Sequence, residues 1–391
     1  MSLAFGAAAG KVGLLILFAC VVGECLRATG GARAIATAVL QLFGPRQAAV
    51  GLATASFVLA VPVFFDTLFL LMLPIARALR LQSGRDYLLY ILAIVAGGTM
   101  AHALVPPTPG PLFVIEALGV DLVTMMIGGS VTGIVAAAAG LLYAHRLNSH
   151  MVIPLRDEDA AAPVLAAPSV GAAWACVPIA LPLLLISGAT FGARGAIPWP
   201  ATRGFFAMMG EKNMAIAVAA AVALGIAAWK MEGRGTIAAV LSRALQTAAP
   251  IVLIISAGGA FGEMLRQTNI AALFVGHTQT SFWLIPLTAL VAAAVRTAQG
   301  SVTVAMITTV GMVAGLATSA TLPFHPVYLA LAIGCGAKNF AWMNDSGFWV
   351  MARTSGMTER ETLRTISVMN LYMAAAGLVV VMLGAWLLPM R

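Results

Sequence analysis

The chain has 391 residues, of which 61% are hydrophobic and 9% charged, and its formal net charge is +8. A soluble domain carries about 25% charged residues and cannot bury this much apolar surface, so the composition excludes a soluble globular protein. Apolar runs of about 17 to 25 residues, the length of a helix that crosses a bilayer, recur along the chain and predict about ten membrane segments, several of them interrupted.

The distribution of basic residues is typical of an inner-membrane protein. When the loop between Arg27 and Arg46 is placed in the cytoplasm, most Lys and Arg residues fall on that side, as the positive-inside rule requires. The positive charge therefore predicts a multi-pass protein of the inner (cytoplasmic) membrane, surrounded by the lipid bilayer and without a nucleic-acid partner.

The sequence lacks the motifs of enzymes and of ATP-driven pumps. Its four cysteines form no CxxC pair, and residues 6–11 (GAAAGK) differ from a phosphate-binding loop in spacing and in the residue after the lysine. No HExxH or Gly-x-Ser-x-Gly motif occurs. We therefore expect neither an enzyme nor a metal site, and no cofactor, with an ion gradient as the energy source.

Two stretches far apart in the chain are similar to each other. With a shift of 239 positions, residues 23–29 (GECLRAT) align with residues 262–268 (GEMLRQT), and five of the seven residues are identical. A duplicated unit explains this match, because Gly, Glu, Arg and Thr are not the residues that apolar runs align by chance. The predicted organisation is a first repeat at 1–146, incomplete at its N-terminus, a cytoplasmic linker at 147–170 and a second repeat at 171–391.

Each repeat is predicted to contain a re-entrant hairpin. The hairpins span residues 48–80 and 282–315, and their arms are too short to cross a bilayer separately. Their tips, at 62–67 and 296–301, carry polar groups. Polar, non-helical backbone at membrane depth requires surrounding protein or a watery cavity, so we expect both tips to lie at such a cavity.

A broken helix follows each hairpin, at 87–118 and at 327–352, and the proline-rich run at 105–111 interrupts the first of them. The predicted orientations of the two repeats are opposite. The expected fold class is therefore an all-α polytopic membrane protein with inverted repeats, each containing a re-entrant hairpin and a broken helix. Many secondary transporters build a midplane site in this way, so we expect transport by alternating access.

At these tips the sequence resembles the gluconate:proton symporter (gluconate permease) family of the ion transporter superfamily. The resemblance runs from about Phe5 to the C-terminus and is carried by residues 102–111 (HALVPPTPGP), 258–261 (GGAF), 296–305 (RTAQGSVTVA) and 344–349 (NDSGFW). It implies proton-coupled symport of gluconate or a related sugar acid, a small organic anion. It also implies a homodimer in which a hairpin-bearing transport domain moves, elevator-like, against a scaffold.

The sequence differs from the family's pattern in two places. Family members begin with hydrophobic helices ahead of the position that matches Phe5, so we expect these N-terminal helices to be missing from this chain. Residues 338–343 (KNFAWM) stand where the family has small and hydroxyl residues and a histidine. Two alternatives stay open: a sodium- or proton-coupled di- or tricarboxylate transporter of the citrate type, and a truncated membrane subunit that does not transport.

Three ionisable side chains near the tips are candidates for proton coupling: Asp66, His102 and Asp345. An ionised carboxylate at membrane depth is costly unless it is paired, hydrated or protonated, so such a group can carry a proton. The alternative for each carboxylate is a helix N-cap that accepts backbone N–H bonds. The alternative for His102 is a hydrogen bond to a freed backbone carbonyl.

Two basic residues, Arg296 and Lys338, are candidates for binding the carboxylate of the substrate. The alternatives are a salt bridge from Arg296 to Asp66 or Asp345, and snorkelling of Lys338. The other candidates for substrate binding offer neutral donors and acceptors or, at the glycines, a close backbone approach; they are Thr67, Thr108, Gly110, Gln299, Gly300, Ser301, Thr303, Asn344 and Ser346.

Overall fold

The computed structural model describes residues 1–156, 170–193, 199–231, 234–267, 282–319 and 322–390. Every regular element within these ranges is a helix. Most of the predicted linker, at 157–169, lies outside the described residues, and so does the segment at 268–281 that precedes the second hairpin.

Six of the described helices are long and apolar enough to cross a membrane, or seven if the bent pair Gly13–Ala28 and Gly31–Phe43 is one span. Shorter apolar helices occur at Leu284–Gln299, Val302–Ala314 and Val327–Ala337. The prediction of an all-α polytopic membrane protein is therefore confirmed.

The helices of the first half begin and end at residues with clear local signals. The break after α5 coincides with Pro106 and Pro107, because the residue before a proline avoids helical conformation, and the next helix starts with Pro109 at its first position. The Asp121 carboxylate caps α7 by accepting the Thr124 N–H at 2.9 Å. These helices are α1 (Ser2–Ala28), α2 (Gly31–Phe43), α3 (Ala48–Leu59), α4 (Phe65–Ser83), α5 (Tyr87–Leu104), α6 (Pro109–Leu118) and α7 (Leu122–Asn148).

The second half contains a second pair of short apolar helices followed by a second broken helix. Its last helix contains a π-helical turn at Leu363–Ser367, where the Ser367 hydroxyl donates to the Ala341 carbonyl. The helices are α8 (Ala172–Ala193), α9 (Pro200–Met209), α10 (Lys212–Lys230), α11 (Arg234–Gln267), α12 (Leu284–Gln299), α13 (Val302–Ser319), α14 (Val327–Ala337), α15 (Ser346–Thr354) and α16 (Glu359–Leu387).

Both tips are shorter than the sequence predicted. Arg296 and Gln299 belong to the last turn of α12, which ends at Gly300 with a φ of +79° and an N–H bond from Gly300 to the Arg296 carbonyl. Glycine adopts this left-handed conformation without a steric cost, so the helix ends at Gly300. Asp66 and Thr67 likewise belong to the first turn of α4.

The described helices pack as two groups. The core group consists of α3–α7 and α12–α16, in which each broken helix packs against its hairpin. The flanking group consists of α1, α2 and α8–α11, with α1 packed along α11 and α10. The two groups meet where α11 packs on α13 and α2 on α3.

The same glycine contact joins hairpin and broken helix in both halves. A Cβ on Gly97 of α5 would lie 1.9 Å from the Ala53 carbonyl oxygen of α3, and a Cβ on Gly336 of α14 would lie 2.1 Å from the Ala289 carbonyl oxygen of α12. Gly97 and Gly336 are 239 positions apart, the same shift at which residues 23–29 align with 262–268. Their partners Ala53 and Ala289 are 236 positions apart, so the two contacts are alike in kind but not in exact register.

Candidate functional site

A cavity of about 210 Å³ lies where the core group meets α11. A single water needs about 10–15 Å³ of such space, so this cavity can hold a small solute. Its walls come from the first turns of α4, α13 and α15, from α5 and α11, and from the break between α14 and α15. The residues that line it are Phe64, Phe65, Asp66, His102, Ile251, Ile254, Ser301, Val302, Thr303, Val304, Lys338, Asp345, Ser346, Gly347 and Met351.

Helix N-termini from both halves of the chain meet at this cavity. The first turn of a helix presents backbone N–H groups without intrahelical partners and the positive end of the helix dipole. The N-cap of α4, Phe64, has no side chain that can satisfy these groups. The converging first turns therefore favour an anion in the cavity.

Lys338 is the cation that faces the cavity. It lies in the break after α14, is 6% exposed, and places its ammonium 5.4 Å from the centre of the Phe65 ring. Among the described residues, the ammonium has no hydrogen-bond or ion-pair partner. An unpaired ammonium beside helix N-termini has the chemistry that an anion requires.

Arg296 has a different environment from Lys338. It is 2% exposed, and its guanidinium donates to the Asp345 carboxylate, which also accepts the Gly347 N–H at 2.9 Å as the N-cap of α15. Of the two interpretations offered by the sequence, the geometry matches the salt bridge. Arg296 holds Asp345 at the cavity wall and does not line the cavity itself.

Asp66 faces the cavity from the first turn of α4. Among the described residues, no group donates a hydrogen bond to its carboxylate or pairs with it. A Cβ on Gly347 would lie 3.5 Å from the Asp66 Oδ1 and 3.4 Å from the Asp345 Oδ1, so the two carboxylates face each other across this glycine. Asp345 has a guanidinium partner and Asp66 does not.

His102 contributes an imidazole to the same wall. Its ring makes an edge contact with Phe64, with ring centres 5.9 Å apart, and its Nδ1 is buried without a hydrogen-bond partner in the described part of the chain. Because an imidazolium donates from both nitrogens, this environment favours the neutral ring.

The neutral residues predicted for substrate binding divide into three sets. Ser301, Thr303 and Ser346 line the cavity. Thr67, Thr108, Gly110 and Gln299 are not among the residues that line it. The Thr108 hydroxyl instead donates to the Val105 carbonyl at 2.8 Å, and Gly110 allows the close approach of Met306.

The remaining two residues, Asn344 and Gly300, make contacts between the tip of the second hairpin and the break between α14 and α15. The Asn344 amide donates to the Thr297 carbonyl at 2.8 Å, and a Cβ on Gly300 would lie 2.2 Å from the Asn344 carbonyl oxygen. Asn339 and Trp342 add bonds to the Ala293 and Thr297 carbonyls at 3.1 and 3.2 Å. Side-chain donors within 338–343, where the sequence departs from the family's pattern, satisfy carbonyls at the end of α12.

Two further features connect the core and flanking groups. Lys212, at the start of α10, donates to Glu116 of α6, so Glu116 faces the flanking group. Nearby, an apolar cavity of about 40 Å³ separates Pro62, Pro106 and Pro107 from Pro178 and Pro182 of α8. Neither the ion pair nor the cavity could be recognised in the sequence, because each is formed by segments far apart in the chain.

Comparison with known proteins agrees with this architecture. The family model described as "GntP family permease" matches residues 1–387. A "Gluconate permease" of Pseudomonas aeruginosa is 31% identical over 97% of this chain and 85% of its own length. A "Low-affinity gluconate transporter" of Escherichia coli is 29% identical over 99% of the chain and 88% of its own length. These relatives are permeases and transporters rather than enzymes, as the sequence predicts.

A solved structure has the same fold. The YdaH transporter of Alcanivorax borkumensis, described as having an unusual topology, superposes with a TM-score of 0.70 over 99% of this chain and 88% of its own length. The sequences are 12% identical, so the likeness concerns the fold alone.

Proposed function

Because the chain belongs to the GntP permease family, we propose that it is a secondary transporter that carries gluconate or a related sugar acid, together with protons, across the inner (cytoplasmic) membrane. The observation that carries this proposal is the unpaired ammonium of Lys338 in a cavity bordered by helix N-termini and hydroxyl groups.

The chemistry of the cavity supports a polyhydroxylated monocarboxylate. Lys338 supplies one cation without a partner in the described residues, whereas the charge of Arg296 is already balanced by Asp345. A citrate-like di- or tricarboxylate would bring several negative charges to this one ammonium. The hydroxyls of Ser301, Thr303 and Ser346 suit the hydroxyl groups along a sugar acid.

Proton coupling is supported by a carboxylate at the same wall. Asp66 faces the cavity without a partner in the described residues, and such a group can take up a proton when its surroundings change. Sodium is the alternative coupling ion, since hydroxyl and carbonyl oxygens can also bind a hard cation.

The division into two groups of helices supports an elevator-like mechanism. The polar cavity is bordered mainly by the core group, while α11 of the flanking group contributes only the apolar side chains of Ile251 and Ile254. A movement of the core group along this apolar wall would expose the cavity alternately to the two sides of the membrane.

The test is uptake of radiolabelled gluconate by purified protein in liposomes with an inward proton gradient, at equal sodium on both sides. We expect accumulation that collapses with a protonophore and that unlabelled gluconate inhibits more strongly than citrate. Accumulation that requires sodium and does not respond to the proton gradient would show that sodium, and not the proton, is the coupling ion. No exchange of gluconate or of any related sugar acid would refute the proposal and favour the non-transporting subunit.

A further inference from the structure

Four charged side chains surround the cavity or hold its wall, and their charges cancel. Asp345 pairs with the guanidinium of Arg296, whereas Asp66 and Lys338 line the same cavity without an ion-pair partner in the described residues. The remaining titratable group at this wall is His102, whose buried Nδ1 favours a neutral ring. Among the described residues, the empty site therefore has a net charge of zero.

A monocarboxylate substrate disturbs this balance. It adds one negative charge to a site at membrane depth, where an uncompensated charge is costly. Its carboxylate binds beside Lys338, which lines the cavity together with Asp66 and Asp345. Asp345 keeps its own partner, because the Arg296 guanidinium and the Gly347 N–H both remain bound to it. Asp66 is the carboxylate left without a counter-ion.

We propose, on the basis of the proposed function, that each sugar-acid anion is carried with one proton bound to Asp66. The loaded site then has the same net charge of zero as the empty site. The substrate carboxylate binds the Lys338 ammonium, and the Asp66 carboxylate, which has no partner in the described residues, takes up the proton. One proton from the outer water binds a carboxylate oxygen of Asp66 and leaves into the inner water when the substrate dissociates. Net transport is then electroneutral.

Equilibrium accumulation measures this ratio directly. For one anion with one proton, a tenfold inward proton gradient gives about tenfold accumulation, and a membrane potential has no effect. For one anion with two protons, the same proton gradient gives about 100-fold accumulation, and a tenfold potassium gradient made inside-negative with valinomycin adds about tenfold. For the anion alone, the proton gradient has no effect and the potential lowers accumulation by about tenfold.

The experiment uses the full chain in liposomes with labelled gluconate, with the two gradients imposed separately. We expect about tenfold accumulation from the proton gradient and no response to valinomycin. A response of accumulation to the potassium gradient, in either direction, would overturn the 1:1 ratio. Gluconate exchange is measured in parallel, with equal gluconate concentrations on both sides of the membrane. Absence of this exchange would mean that the protein does not transport gluconate, whereas exchange with a response to the potassium gradient would overturn only the 1:1 ratio.

Variants test the assignment of the proton to Asp66. Asp66→Asn resembles the protonated residue, so exchange should persist while accumulation driven by the proton gradient falls to about onefold; Asp66→Glu should restore part of the response. Asp121→Asn is the matched control, because Asp121 caps α7 away from the cavity and Asn caps a helix about as well as Asp. Asp66→Asn protein that keeps the tenfold response, or that melts like the wild type but cannot exchange gluconate, would overturn the assignment. If the variant does not fold, the ratio measured with the wild type still decides the stoichiometry.

Discussion

Arg296 and Lys338 have the same charge, but their different surroundings give them different tasks. The planar guanidinium of Arg296 is buried against the Asp345 carboxylate, so the two charges balance each other at the cavity wall. The Lys338 ammonium reaches the cavity unpaired within the described residues. The residue that anchors a substrate carboxylate is therefore better sought at Lys338 than at Arg296, although a carboxylate-binding fork is the more familiar role of arginine.

We expect Lys338→Gln to raise the KM for gluconate by about 10- to 100-fold, because a hydrogen bond to a charged group contributes about 1.5–3 kcal/mol. The measurement is initial uptake over a range of gluconate concentrations. Lys230→Gln is the matched control, since Lys230 lies over the Trp229 ring at 3.8 Å and is not among the residues lining the cavity. An unchanged KM in well-folded Lys338→Gln protein would contradict the role of Lys338.

Many of the site residues could be predicted from the sequence, because polar groups in apolar, proline- or glycine-broken segments must lie near protein or water. Asp66, Ser301 and Ser346 were found in this way. The partner of Arg296 could not be predicted, since Asp66 and Asp345 were equally plausible until the folded chain placed one of them at the guanidinium. The local bond of Thr108 could not be predicted either: its hydroxyl donates to the carbonyl of Val105, three residues earlier.

At the scale of the helix, the two hairpins and their broken helices are held together by glycines that let backbones touch. Gly97 against Ala53 and Gly336 against Ala289 leave no room for a methyl group. In a bilayer, where lipid chains are as apolar as the side chains, close backbone approach at small residues is a main source of helix association. Each contact fixes a hairpin arm to the helix that carries the neighbouring break.

We expect Gly97→Ala and Gly336→Ala each to destabilise the protein by about 1–3 kcal/mol, because the added methyl group must displace a helix backbone. Thermal melting in detergent measures this as a lower midpoint. Gly225→Ala is the control, because a Cβ on Gly225 of α10 meets no atom within 4 Å, and alanine is the better helix former. Equal midpoints for all three variants would show that the contacts are looser than described.

Helix boundaries were predictable where a local residue ends the helix. The prolines after α5 break it by themselves, and this break was predicted. The second tip was predicted too long, because no residue between Arg296 and Gln299 stops a helix and only Gly300 does so. The polar character of these residues indicated a tip, but polarity alone does not end a helix.

At the scale of the whole molecule, an ion pair joins the core and flanking groups. Lys212 of α10 and Glu116 of α6 are partly exposed, with 33% and 22% of their side-chain surface accessible. Such a pair contributes about 0–1 kcal/mol, so it can bias a movement between the groups without preventing it. Under the proposed mechanism, the pair separates in part of the transport cycle.

We expect Lys212→Gln and Glu116→Gln each to change the rate of gluconate exchange by up to about fivefold, as removal of about 1 kcal/mol from one state allows. The exchanged pair, Lys212→Glu with Glu116→Lys, should return the rate toward that of the wild type. Exchange at equal concentrations is the measurement. If the exchange rate of the double variant differs from that of the wild type by the combined effects of the two single variants, the two side chains do not act together.

The proline-lined cavity between the two groups has a consequence for how they could slide. All the side chains around it are apolar, and its five prolines lack a backbone N–H. The facing surfaces at this cavity therefore have few donors with which to hold each other in one register. Under the proposed mechanism, we expect larger or smaller apolar residues at Pro178 or Pro182 to change the rate of gluconate exchange and to leave the selectivity of the polar cavity unchanged, because neither proline lines that cavity.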